Sequence, residues 1–173
     1  MSVVPETIIA VQQFLAREAA LQDAGHWRGW LDLFTPDGIY WMPLSPDQTD
    51  ARLHASLLHD DAVLREIRCR RWHDRNPDTG ALSLQPAVRT VRHVSNVLVA
   101  ELRAAASDGG APSPTLEARA AVHLVEYVRQ ELRPWHARVT WRLVATDGDF
   151  RIALKRVDLV NGDGPISDML TYL

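Results

Sequence analysis

RTVRHVSNV, residues 89–97, alternates polar and apolar side chains with the period of two that marks a half-buried β-strand. Strict alternation puts Val91, His93, Ser95, Val97 and Val99 on one face, and Arg92, Val94, Asn96, Leu98 and Ala100 on the other. Both faces are mixed. That pattern predicts a sheet covered on both sides, by helices on one and by a partner or neighbouring subunit on the other.

Downstream of this strand, taken as residues 88–103, the extended character persists. Leu116–Gln130, Trp135–Ala145 and Phe150–Val160 each show period-two patterning or β-branched enrichment. SDGGAPSP, residues 107–114, reads as a loop, Arg133-Pro134 as a tight corner and Asp147-Gly148 as a hairpin turn.

Upstream the period changes. Ile8, Val11, Leu15 and Ala19 recur at helical spacing, widened by Ile9 and Ala16, so a helix is predicted from Pro5 to about Asp23, with Gly25 as its stop. HWRGWLDLF places Trp27, Trp30, Leu31 and Phe34 on the buried face of a short second helix. TPDG then reads as a turn, and GIYWMP as a short strand stopped by Pro43. Residues 44–58 read as a loop with a helical turn near Leu57. From Asp60 to about Trp72 a third helix is predicted, with Asp60 and Asp61 at its N-terminus and Val63, Leu64, Ile67 and Arg71 sharing one side. The connector HDRNPDTGALSLQP is turn-rich. Helices followed by long hairpin-connected strands predict an α+β domain, with helical segments packed on a curved antiparallel sheet.

A chain of 173 residues, 46% hydrophobic and 24% charged, suits one globular domain over residues 1–173. The net charge of −3 is mild and the basic residues are dispersed, so neither nucleic acid nor a membrane surface is an expected partner. The first residues lack a signal-peptide pattern, no stretch is apolar for the length of a bilayer, and Cys69 is the single cysteine; the expected compartment is the cytoplasm.

Candidate chemistry is sparse. His93 reads either as a general base, oriented by Asp37 or Tyr40, or as a hydrogen-bonded structural histidine. His54 and His59 are five apart, which is not the i, i+4 spacing of a helical metal pair, and Asp60 and Asp61 are explained by capping, so no metal site is expected. His123 and His136 fall in neighbouring predicted strands and read either as a pair across the sheet or as structural histidines. Cys69, among Arg68, Arg70 and Arg71, reads as a nucleophile or as a small apolar filler. The six tryptophans read as an aromatic pocket or as core and interface. No GxSxG, P-loop, GxGxxG or CxxC occurs. DMLTYL, residues 168–173, is apolar enough to predict docking at an interface or in the core.

Four stretches taken in order carry a family resemblance: FLAREAALQDAGHWRGWLDLFTPDGIYWMP (14–43), HDDAVLREIRCRRW (59–72), RTVRHVSNV (89–97) and KRVDLVN (155–161). The chain resembles the beta, or small, subunits of the Rieske-type aromatic-ring-hydroxylating dioxygenases, in the NTF2-like (SnoaL-like, cystatin-like cone) superfamily. The resemblance implies a non-catalytic structural subunit in aromatic hydrocarbon catabolism, with neither cofactor nor metal in this chain. It further implies self-association as a trimer and an α3β3 hexamer, in which the alpha subunit holds the Rieske 2Fe-2S cluster and a mononuclear iron. YWMPLSPDQTD is similar to members paired with benzoate-type enzymes. The same superfamily hosts stand-alone isomerases, dehydratases and cyclases, which implies a second reading with Asp37, Tyr40 and His93 in one pocket. A small-molecule-binding module is a third.

Overall fold

Pro5 supplies a preset φ at the first turn of a 19-residue helix, α1 (Pro5–Asp23), whose buried stripe is Val11, Phe14, Leu15, Glu18, Ala19 and Gln22. Ile9 and Ala16, expected to widen the apolar face, are exposed. Gly25 follows the helix with φ 69°, a left-handed conformation that reverses the chain. The computed structural model describes residues 3–73, 88–102, 116–166 and 169–173. Of the connector read over 73–86, His73 ends the third helix; residues 74–86 and the loop read over 107–114 lie outside the described residues.

Beyond α1 the order is α2 (Trp27–Leu31), β1 (Phe34–Pro43), β2 (Ser56–Asp60), α3 (Ala62–His73), β3 (Arg89–Glu101), β4 (Leu116–Val128), β5 (Glu131–Thr146) and β6 (Asp149–Leu159). The strands make one six-stranded sheet in the order β2-β1-β6-β5-β4-β3. All neighbours are antiparallel except β1 and β6, which run parallel because the long excursion through α3 and the β3–β6 meander returns the chain to β1 in the same direction. Helix α1 lies against β3 and β6, and α3 against β1 and β2, on the face that carries the core.

Leu57 lies in β2, paired with β1, and not in a helical turn. The TPDG stretch is an irregularity inside β1 and not a turn before it: pairing with β6 shifts between Phe34 and Ile39. Gly38 is required there, since a Cβ would lie 2.6 Å from the Ile152 carbonyl oxygen. Finally, the corner placed at Arg133-Pro134 falls at Arg129 and Gln130, whose φ values are 49° and 69°; Arg133 and Pro134 are paired within β5. The Asp147-Gly148 hairpin is present, with Gly148 at φ 77°.

The opening stretch also differs from strict alternation. Asn96 adopts φ 55°, and the β3–β4 register shifts between Ser95 and Leu98. This bulge moves one residue out of phase. Arg92, Val94, Val97 and Val99 therefore turn inward, whereas Val91, His93, Ser95 and Leu98 are exposed on the outer face. In the single chain that outer face is open.

Helix α3 reverses its expected orientation. Val63, Leu64 and Ile67 are exposed, whereas Arg65 and Cys69 are buried. Arg65 makes this possible by donating to the carbonyls of Gly38 and Asp60 while its guanidinium lies 4.0 Å from the centroid of Phe34. Asp61 caps the helix, accepting from Leu64 N at 2.9 Å.

Candidate functional site

The inner face of the sheet and the helices enclose an interior that is both aromatic and charged. Glu18 comes from the buried stripe of α1, and Lys155 from the inward parity of β6 shared with Val157 and Leu159. Lys155 Nζ donates to Glu18 Oε1 at 2.6 Å, with both side chains 2% exposed. The indole N–H groups of Trp30 and Trp141 donate to the two Glu18 oxygens, each at 3.0 Å. Burial holds the Lys155 ammonium below its usual range, and Glu18 opposes that effect. The carboxylate is thus fully engaged in structure.

The mouth of this interior is filled by residues 171–173, all buried. Arg92, on β3, donates to Asp23, to Thr171 Oγ1 at 3.1 Å and to the Tyr172 carbonyl. Leu173 N donates to the Tyr40 hydroxyl at 3.2 Å. Tyr172 donates its own hydroxyl proton to Asp60 Oδ2 at 2.6 Å, and Arg68 Nε donates to the same oxygen at 2.6 Å. Asp60 is therefore the polar anchor of the plug, and not the helix-capping residue expected. Of the two placements expected of DMLTYL, Thr171, Tyr172 and Leu173 take the core one, with Met169 and Leu170 half-buried.

Burial raises the phenol pKa values of Tyr40 and Tyr172, and the Asp60 carboxylate raises that of Tyr172 further. Neither tyrosine is poised to exchange protons near neutrality. Cys69 is buried and its thiol is pushed up to about 12 by burial, which favours the filler reading over the nucleophile.

Asp37, Tyr40 and His93 are not brought together. Asp37 is exposed at the β1 irregularity, Tyr40 is wholly buried, and His93 is exposed on the outer face of an edge strand. His123 and His136 do pair across β4 and β5, with ring centroids 4.7 Å apart, on that same outer face. His54 and His59 are exposed, and among the described residues no three His, Cys, Asp or Glu side chains gather as a metal cage. The described tryptophans lie mainly in the core.

The residues whose roles the sequence did not disclose are Glu18, Lys155, Arg92, Asp60, Glu126 and Tyr172. A signal existed for the first two: each is a charged residue on the apolar parity of its element, Glu18 one turn from Leu15 and Lys155 two residues from Val157. Glu126 shows the same parity in β4, between Leu124 and Val128.

Glu126 gives a pH test. It is fully buried, accepts from Trp135 Nε1 at 2.9 Å and from Leu170 N at 3.2 Å, and has its pKa raised by burial despite those bonds. A raised folded pKa means that the native state holds the proton more tightly than the unfolded chain does. Its favourable contribution is thus full below the ordinary carboxylate range and is lost as pH rises through the folded value. Urea midpoints of wild type and Glu126→Gln should therefore shift in favour of the variant between pH 4 and pH 7. A pH-independent difference would show that burial does not govern this carboxyl.

Comparisons with known proteins agree with this architecture. The family model described as ring hydroxylating beta subunit matches residues 17–162. The 2-halobenzoate 1,2-dioxygenase small subunit of Burkholderia cepacia is 28% identical over 166 residues, 93% of each chain. The toluate 1,2-dioxygenase subunit beta of Pseudomonas putida is 32% identical over 103 residues, covering 53% of this chain and 57% of its own. Among solved structures, the beta subunit of the benzoate 1,2-dioxygenase from Burkholderia mallei superposes with a TM-score of 0.69 at 22% identity, over 99% of this chain and 100% of that one. A naphthalene 1,2-dioxygenase with indole in its active site gives a TM-score of 0.75 at 16% identity, over 100% of this chain and 89% of the matched one. At these identities the structural likenesses establish the fold.

Proposed function

This chain belongs to the ring hydroxylating beta subunit family, and from that premise we propose that it is the small, structural subunit of a multicomponent aromatic-ring-hydroxylating dioxygenase. In this reading the whole of residues 1–173 acts as one cytoplasmic domain that supports a larger alpha subunit in an α3β3 assembly. The alpha subunit would hold the Rieske cluster and mononuclear iron. The relatives named for halobenzoate, toluate and benzoate enzymes support a single-ring aromatic acid as the substrate of the complex.

The observation that carries the reading is the seating of the chain's own Tyr172 among the cone's aromatic side chains. Where a stand-alone enzyme of this fold would need room for a substrate, Tyr172 and Leu173 are 0% exposed and bonded to Asp60 and Tyr40. Glu18 and Lys155 neutralise one another beneath them. The chain's own donors also do not fit the metal groups: one cysteine falls short of the two that a Rieske centre takes, and the described histidines and carboxylates do not converge.

What the chain offers instead is surface. Val63, Leu64 and Ile67 on α3, and Val91 and Leu98 on the outer face of β3, are large apolar side chains left exposed. These residues supply contact area for alpha subunits and for further copies of this chain. Co-expression with a tagged Rieske-type alpha subunit from the same genome should retain this chain through purification. If the alpha subunit assembles fully and stably without it, the structural role is refuted.

A further inference from the structure

Tyr172 lies in the cone as a bound ligand lies in a pocket. Its ring stacks on Trp30, centroids 4.9 Å apart at 28°, meets Trp72 edge-on at 4.8 Å, and contacts Tyr40 at 4.5 Å. Its hydroxyl reaches one acceptor, Asp60 Oδ2, at 2.6 Å. All of these partners belong to α2, β1, β2 and α3.

Two other observations indicate room and unused polar capacity. A cavity of about 160 Å³ adjoins the plug, lined by Met42, Leu57, Arg68, Trp72, Met169 and Thr171 among others. One turn beyond Glu18, Gln22 is 2% exposed and neither atom of its amide has a hydrogen-bond partner.

We propose that the cone retains a binding site for a single hydroxylated aromatic ring, that Tyr172 is its resident occupant, and that a free para-alkylphenol takes the same place when the Tyr172 side chain is removed. The chemistry selects the ligand class. Trp30 offers a ring face and Trp72 and Tyr40 offer further aromatic contacts, which suits a flat ring. Asp60 Oδ2, already held by Arg68 Nε, is an acceptor that a donor hydroxyl completes, whereas a carboxylate would set an acceptor against an acceptor. This inference concerns the isolated chain and stands or falls separately from the role proposed in the dioxygenase.

The test is a thermal melt of the full chain carrying Tyr172→Ala, with p-cresol, toluene or benzoate. At about tenfold its Kd, p-cresol should raise the variant's Tm by about 4 °C. Toluene, lacking the hydroxyl, should act at higher concentration, and benzoate should have no effect. Wild type and Tyr172→Phe, whose rings occupy the site, should not respond to p-cresol. Should Tyr172→Ala be recovered unfolded, refolding it in p-cresol should restore folded protein in a ligand-dependent manner. An equal response in wild type and Tyr172→Phe, equal effects of p-cresol and benzoate, or failure of p-cresol to stabilise or refold the alanine variant would each overturn the proposal.

Discussion

Glu18→Ala should destabilise the chain by at least about 5 kcal/mol, because breaking a buried ion pair costs about 3–5 kcal/mol and each indole N–H left without an acceptor adds about 1–3 kcal/mol. The pair is Glu18–Lys155 at 2.6 Å, and the indoles are those of Trp30 and Trp141. Against a typical total of about 5–15 kcal/mol for a domain, such a loss unfolds much of the population. The loss also has a pH signature. Lys155 has a folded pKa depressed by burial, so its contribution to stability is full above the unfolded value and falls as pH drops through the folded one. With Glu18 gone the depression deepens, and the deficit measured by urea unfolding should shrink between pH 7 and pH 10. Glu18→Gln combined with Lys155→Met removes both charges and keeps an acceptor for one of the two indoles, and should recover part of the loss. Equal midpoints for Glu18→Ala and wild type would show that the pair carries no stability.

Deletion of Met169–Leu173 is the second large effect. It removes a buried tyrosine and a buried leucine from the aromatic cluster formed with Trp27, Trp30, Tyr40 and Trp72. Large-to-small changes at such positions cost about 3–5 kcal/mol for an aromatic and about 2–5 kcal/mol for a leucine. Arg92 then loses its acceptors at Thr171 and Tyr172, and Asp60 loses the Tyr172 hydroxyl. The deleted chain should melt at least 10 °C lower, by the scaling of about 2–4 °C per kcal/mol at this size. An unchanged melt and unchanged light-scattering mass would mean that the plug does not hold the cone together.

The sequence made the scaffold legible because its periodicities are local. Val11, Leu15 and Ala19 repeat at helical spacing, and β4 alternates over thirteen residues, so both elements follow from the chain alone. Legibility failed where a tertiary partner decides. Asn96 shifts the β3 phase by a bulge whose need arises in pairing with β4. Leu57 became a strand residue because β1 offered an edge. Val63, Leu64 and Ile67 face outward because Arg65 finds carbonyls and the Phe34 ring beneath α3, a compensation no periodicity reveals. His93 was the conspicuous residue of RTVRHVSNV, yet its neighbour Arg92 turns into the cone and ties β3 to Thr171 and Tyr172. The interior depends on contacts between residues up to 137 apart, such as Lys155 with Glu18, whose only trace is charge on an apolar parity.

These placements bear on function through what the cone has given up. Tyr40 is committed to Leu173 N, and Asp60 to Tyr172 and Arg68. Catalysis by this chain would require a group that meets substrate, whereas support of a partner requires only that the surfaces and the packing persist.

The most direct measurement is turnover per iron of the purified complex carrying Asp37→Asn, Tyr40→Phe or His93→Ala in this chain, with assembly followed by native mass. The expected result is turnover within about twofold of wild type for every complex that assembles, any loss falling on yield. General acid–base groups contribute about 10²–10⁴-fold, so a hundredfold fall in turnover per iron with native mass intact would contradict the structural role.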